Sequence, residues 1–454
     1  MKAPRTAIVT AAAAAMIVAT ASTTATTVVA APVTSDHTVV LAANSNDGPN
    51  NSNTGGSDKN KNKSKQSGGG TSSNSNNDSN KNENKAESSG GGSTASNSNT
   101  KSDSNDNGAK ATRGGKASNS NNGGFQLFGR GSKNKNTAEA DGAGSFATNS
   151  IKGSNNDSNA KSSGGGNAIN SVTGNNNGSL HAEANGENSV GSNAITGDNN
   201  NTDSKANGAD SQARTIVVGN NNDVDGRANN HGTARSNVSG FGGTGAGNGN
   251  KLNVTGTNGS ATGNAYGNNN KVNATATDTT IASGGGAIST ADGTGNNVDS
   301  TASGNGSFAI ASGEGNNNKV SATNTNGGTA GFTTAAALGN RNNVSAKASG
   351  DGSVAFSGVK GNDSKASSIA DGVGSTATSS VNASNAKAES EARSGGTANA
   401  SVARPNTYAK AYAVGGASAN ASVGATALDD DASTDCTGGG HAIATTSTGK
   451  FSFC

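Results

Sequence analysis

GNNNKVNATA at residues 267–276, GNNNKVSATN at 315–324 and GNRNNVSAKA at 339–348 are three copies of one ten-residue phrase. Looser copies start at Gly153, Gly174, Gly197, Gly219, Gly247, Gly295 and Gly361, so the starts fall about 23 residues apart, a period that marks a stacked repeat architecture. Inside the phrase Val272, Ala274 and Ala276 alternate with Lys271, Asn273 and Thr275, the pattern of a strand with one buried face. A second short arm bounded by Gly follows, as in GSFAIASG from Gly306, GSVAFSG from Gly352, GGAISTADG from Gly285 and GGNAINSVTG from Gly165. Gly and Asn between the arms suit turns with positive φ, where Gly meets no steric penalty and Asn little. The predicted fold is therefore all-β: a parallel β-solenoid over residues 138–427 with two strands per coil and an Ala/Val interior.

Composition agrees with a narrow interior. The chain of 454 residues is 29% hydrophobic and 3% aromatic, with 69 Gly and no Trp, which excludes a conventional globular core. Basic and acidic residues, 33 and 31, are interspersed, so no phosphate-neutralising face exists and nucleic acid is excluded as a partner.

Five segments follow. Residues 1–30 carry Lys2 and Arg5 and then an apolar run from Ala7 to Ala21, the layout of a secretory signal peptide, so the mature chain is expected to be secreted or cell-wall associated, with no membrane span after signal removal. Residues 31–123, rich in Asn, Ser, Lys and Gly, are expected to be a mostly disordered linker, although SNNDSN recurs at Ser75 and Ser154 as in a degenerate coil. Phe125, Leu127 and Phe128 suggest an N-terminal cap at 124–137. Residues 138–427 are the repeats, and within them the trios Ala398–Ala400–Val402, Ala409–Ala411–Ala413 and Ala419–Ala421–Val423 follow one another at half the period, as successive single arms. Residues 428–454 are expected to form a C-terminal cap closed by a disulfide between Cys436 and Cys454, the only cysteines.

The second arms resemble the head repeats of trimeric autotransporter adhesins, which show a similar Gly, Ser and Ala alternation in parallel β-rolls. The resemblance covers about half of the chain and implies a non-catalytic adhesive role. Neither a coiled-coil stalk nor a C-terminal barrel segment is present, so trimerisation and self-anchoring are not carried over. The overall layout is also similar to secreted Gly/Ala/Asn-rich proteins of actinobacteria.

Chemistry is sparse in the sequence. His37, His181, His231 and His441 stand in no pattern with a Ser or Cys and an acid, and no phosphate loop occurs, so neither catalysis nor a cofactor is expected. Asp198, Asp223 and Asp363 fall near turns, but other turns of the array carry Asn only, unlike a calcium-binding repeat. Thr255 with Thr257, Thr275 with Thr277, and Thr323 with Thr325 share one outward repeat position and form a candidate surface-binding Thr row, which Arg227 with Asn229 and Lys347 with Ser349 interrupt. The expected function is that of a structural or adhesive cell-surface repeat protein, with cell-wall or extracellular polysaccharide or a host surface as candidate partners. An ice-binding solenoid and a polysaccharide-active β-helix enzyme are the alternatives.

Overall fold

The computed structural model describes most of residues 50–122 and 133–445; residues 1–49, 55–59, 123–132 and 446–454, with short connecting segments such as 240–250 and 424–430, lie outside the description. Among the described residues there are 35 strands and no helix. Each strand pairs in parallel with the strand two ahead of it, which sorts them into two ladders, of 17 and 18 strands. We call the ladder that runs from Asn60–Ser67 to Asp431–Thr437 the front sheet, and the ladder from Asn50–Thr54 to Ala442–Thr445 the back sheet. One front and one back strand make a coil. Consecutive coils are commonly 22 residues apart, as Val298 and Val320 are, and the offset ranges from 20 (Lys251 to Lys271) to 30 (Ser118 to Thr148). Parallel stacking at about 4.8 Å makes a solenoid on the order of 80 Å long.

Alternate residues of each strand point inward, and the interior changes character along the axis. One buried front-sheet row carries Asn84, Asn107 and Asn136 in its early coils and Val298, Val320 and Val344 in later ones, these six at most 1% exposed. The neighbouring row opens with Ser64 and then holds Ala86, Ala109, Ala138, Ala160 and Ala182. Where the front strands carry bulk, the back strands carry little. A Cβ on Gly263 would lie 2.9 Å from Cγ1 of Val272, so the two sheets close over Leu252, Val254 and Val272 only because Gly263 has no side chain.

The solenoid begins earlier than composition predicts. Residues 50–54 and most of 60–122, within the expected linker 31–123, form strands of both sheets. Their buried apolar content is limited to Ala, as at Ala86, Ala95, Ala109 and Ala117, and buried amides add to it. In the back sheet Asn74 Nδ2 donates to Asn97 Oδ1 (3.1 Å), Asn97 to Asn119 (3.2 Å) and Asn119 to Asn149 (3.3 Å). The second hydrogen of each amide crosses the core to a front-sheet carbonyl, that of Lys85 (2.9 Å), Gly108 (2.6 Å) or Thr137. Front-sheet Asn84, Asn107 and Asn136 form a matching ladder (3.2 and 3.0 Å). A buried amide costs free energy only when unpaired, and stacking identical residues supplies the partner.

Two other boundaries move. Of the expected N-terminal cap at 124–137, residues 133–137 belong to the strand Lys133–Asp141, which pairs with Ser104–Thr112 before it, so this segment falls within the stack rather than at its start. Phe125, Leu127 and Phe128 themselves lie outside the described residues. In the expected C-terminal cap, 428–454, Asp431–Thr437 and Ala442–Thr445 are further parallel strands of the two sheets. The three Ala trios fall on back, front and back strands in turn, which places single arms at half the period.

Corners are set by backbone chirality. Gly142, Gly164, Gly186 and Gly208 follow front strands, and Gly267, Gly293, Gly315 and Gly339 follow back strands, all with positive φ. The amide of Gly293 donates to Glu314 O (2.9 Å) and that of Gly315 to Leu338 O (2.8 Å), which continues the ladder around the bend.

Candidate functional site

With the interior filled by small residues, the chemistry available lies on the two outer faces. The front face has two regimes. Over the early coils one outward row reads Lys65, Glu87, Lys110, Glu139, Lys161, Glu183, Lys205, strictly alternating in sign because each register pair joins opposite charges. Ion pairs follow, including Lys110–Glu139 at 3.1 Å and Lys161–Glu183 at 3.9 Å. Each such exposed pair stabilises by about 0.2–1 kcal/mol, but a like-charged neighbour would oppose any slipped register.

Beyond Arg227 the same row turns neutral. Thr255, Thr275, Thr301 and Thr323 stand in register on four consecutive strands, and two residues further along each strand Thr257, Thr277, Ser303 and Thr325 form a second row. The sequence reading found six of these hydroxyls. It missed Thr301 and Ser303 because their coil, NVDSTAS, lacks the paired-Thr spelling. Arg227 and Lys347, read as interruptions, sit at the two ends of the grid rather than within it.

His181 lies on the front strand Leu180–Asn185 between two carboxylates, with Nδ1 3.1 Å from Asp203 Oδ2 and Nε2 3.4 Å from Glu183 Oε2. The hydrogen bond to Asp203 raises the imidazole above its ordinary range, and partial burial opposes it. His37, His231 and His441 lie outside the described residues. Among the described residues no group of three or more His, Cys, Asp or Glu is arranged to hold a metal. Asp223 is 4.0 Å from Lys251 and Asp363 is 3.8 Å from Arg341, whereas Asp198 falls outside the description. Toward the C-terminal end of the front face, Glu389 and Glu391 border a shallow depression with Lys410 and Tyr412. Both carboxylates are committed to ion pairs, Glu389 with Lys387 (2.6 Å) and Lys365 (3.5 Å), and Glu391 with Arg393 (2.6 Å).

The back face carries the apolar surface. Phe308, Phe332 and Val354 align in one outward row, and in the next Ile288 and Ile310 are followed by Thr334 and then Phe356. Phe332 and Phe356 are 40% and 37% exposed, with ring centroids 5.8 Å apart and tilted by 56°. Phe308 lies over the bare backbone of Gly286, where a Cβ would approach Cζ to 2.2 Å. Ser, Thr and Asn fill most outward positions of the earlier back strands. The apolar strip was visible in GSFAIASG and GSVAFSG only as alternation; the register that joins the rows belongs to the fold.

Of the expected disulfide, Cys436 is on the front strand Asp431–Thr437, and Cys454 lies outside the described residues. Among the described residues no helix is long and apolar enough to cross a membrane. No protein-family model, no curated protein and no solved structure matches the chain.

Proposed function

We propose that the chain is a secreted, non-catalytic structural or adhesive protein of the cell surface. The exposed apolar strip of the back face carries this reading. Apolar surface with paired aromatic rings marks a place of contact, and here it is densest over the strands from Gly286 to Lys360 of a largely polar solenoid. The candidate partner is cell-wall or extracellular polysaccharide, whose apolar sugar faces stack on exposed rings. The apolar N-terminal run with Lys2 and Arg5 supports export, and export supports a bridge between Cys436 and Cys454, since disulfides persist outside the cytosol.

Retention of the full chain on insoluble cell-wall polysaccharide tests the reading. Phe332→Ser with Phe356→Ser should abolish retention while leaving the far-ultraviolet circular dichroism unchanged, because both side chains point outward. Equal retention of the double variant refutes the assignment of this face. Fractionation of the producing cell tests export, and mass spectrometry of the unreduced protein tests the bridge.

A further inference from the structure

We infer that the Thr/Ser grid of the front face binds the surface of ice. This inference is independent of the adhesive reading, which concerns the opposite face.

The row itself makes the first argument. In every coil before the grid this outward position holds charge, from Lys65 to Arg227, and the coil after it holds Lys347, followed by Ile369, Glu391 and Tyr412. Over the four coils of the grid it holds only Thr, each side chain offering one hydroxyl and one methyl. Arg227 and Lys347 therefore bound a neutral Thr row.

Rigidity is the second argument. The inward positions that flank the grid on the same strands are small and tightly packed, with Ala274, Ala276, Ser300, Ala302, Ala322 and Asn324 at most 1% exposed, and each strand is anchored three residues earlier by Leu252, Val272, Val298 or Val320. Thr is itself stiff at χ1. The hydroxyls are consequently held on a lattice of about 4.8 Å from coil to coil and about 6.6 Å along each strand, and little conformational freedom remains to be lost on docking.

Periodicity is the third. A single Thr bonds water weakly, so the grid gains affinity only against a partner that repeats at both spacings, where each contact after the first becomes intramolecular. A small soluble ligand lacks that repeat, and a crystal has it. Ice fits the chemistry better than crystalline polysaccharide, because the grid contains no aromatic platform for a sugar face; the rings nearest in kind, Phe332 and Phe356, belong to the back sheet.

The experiment measures ice recrystallisation inhibition and ice-crystal shaping by the full-length chain. The comparison variant is Thr275→Lys with Thr301→Glu, which places in this row the opposite-charge pairing that Lys161 and Glu183 already make in it. Wild type should be active, and the double variant should require roughly 100-fold more protein for the same effect. Should circular dichroism show the double variant misfolded, Thr301→Lys alone serves, since the row accommodates Lys205 and Lys347. A folded wild type without effect on ice overturns the inference, as does a folded variant as active as wild type. Grid-dependent retention on crystalline cellulose or chitin, without any effect on ice, overturns it in favour of polysaccharide. Phe332→Ser with Phe356→Ser should leave the ice activity unchanged, which separates this test from that of the adhesive face.

Discussion

Asn97 donates through Nδ2 to Oδ1 of Asn119, 3.2 Å away in the next coil, and both side chains are at most 2% exposed. The same nitrogen reaches Gly108 O across the core at 2.6 Å, so one amide ties coil to coil and sheet to sheet. Asn97→Ala leaves Asn119 Oδ1, Gly108 O and one hydrogen of Asn74 without their partner, which should cost about 1–3 kcal/mol. Ser98→Ala, on the outward side of the same strand, should stay within about 0.5 kcal/mol. Thermal melting of the two variants checks the contrast, and equal melting temperatures would show that the ladder is incidental.

If this ladder holds the early coils, residues 60–122 should resist protease. Lys65, Lys85, Lys110 and Lys116 all lie in paired strands, where the backbone cannot enter an active site without local opening. Brief trypsin digestion under native conditions should therefore leave a fragment that retains this region. Immediate cleavage at these lysines is the outcome that a linker would give.

How much of this was readable in the sequence depends on what carried the signal. Alternation at Val272, Ala274 and Ala276 was enough for strand, face and period, because apolar side chains report burial directly. The coil at Ser72 and Asn74 alternates too, but with residues that composition assigns to solvent. A buried Asn looks like an exposed one until the stack supplies its partner. The front grid appeared only in part for a related reason: Thr301 sits at the right register, yet its coil lies 26 residues after that of Thr275 and 22 before that of Thr323, so no fixed spacing aligns the row.

The two kinds of corner glycine should respond differently. Gly315 has φ +114°, and a Cβ there would lie 1.9 Å from Gly293 O, so Gly315→Ala meets both a strained backbone and a rigid obstacle. The backbone term alone is about 1–2 kcal/mol. Gly306, at φ +70° with open space around it, lies where Asn is tolerated, and Gly306→Asn should be nearly neutral. A lower melting temperature for the first variant and not the second is the expected result.

Glu139 stands in register between Lys110 and Lys161. Glu139→Lys would place three positive charges in line at about 4.8 Å intervals, a like-charge arrangement worth about 0.2–1 kcal/mol per neighbour. The variant should melt below wild type in dilute buffer and approach it in 1 M salt, where the screening length falls to about 3 Å. A deficit that salt does not reduce would assign the effect to packing rather than charge.

His181 gives the solenoid a pH dependence whose sign is fixed by its neighbours. Asp203 Oδ2 at 3.1 Å and Glu183 Oε2 at 3.4 Å both favour the imidazolium, and the folded-state pKa is raised above the ordinary 6.5, chiefly by the hydrogen bond to Asp203. A group whose pKa is higher folded than unfolded binds its proton more tightly in the native state. Its contribution to stability is thus complete below about pH 6.5 and disappears as pH rises through the raised value. His181→Gln should accordingly melt below wild type in mildly acidic buffer, and the gap should close in alkaline buffer, where wild-type His181 is neutral. Asp203→Asn should remove most of the acid-side advantage while leaving the imidazole in place. Melting curves of the three proteins across this range provide the check: a gap between wild type and His181→Gln that does not change with pH would mean that His181 acts through shape alone, and a gap that widens toward alkaline pH would reverse the sign argued here.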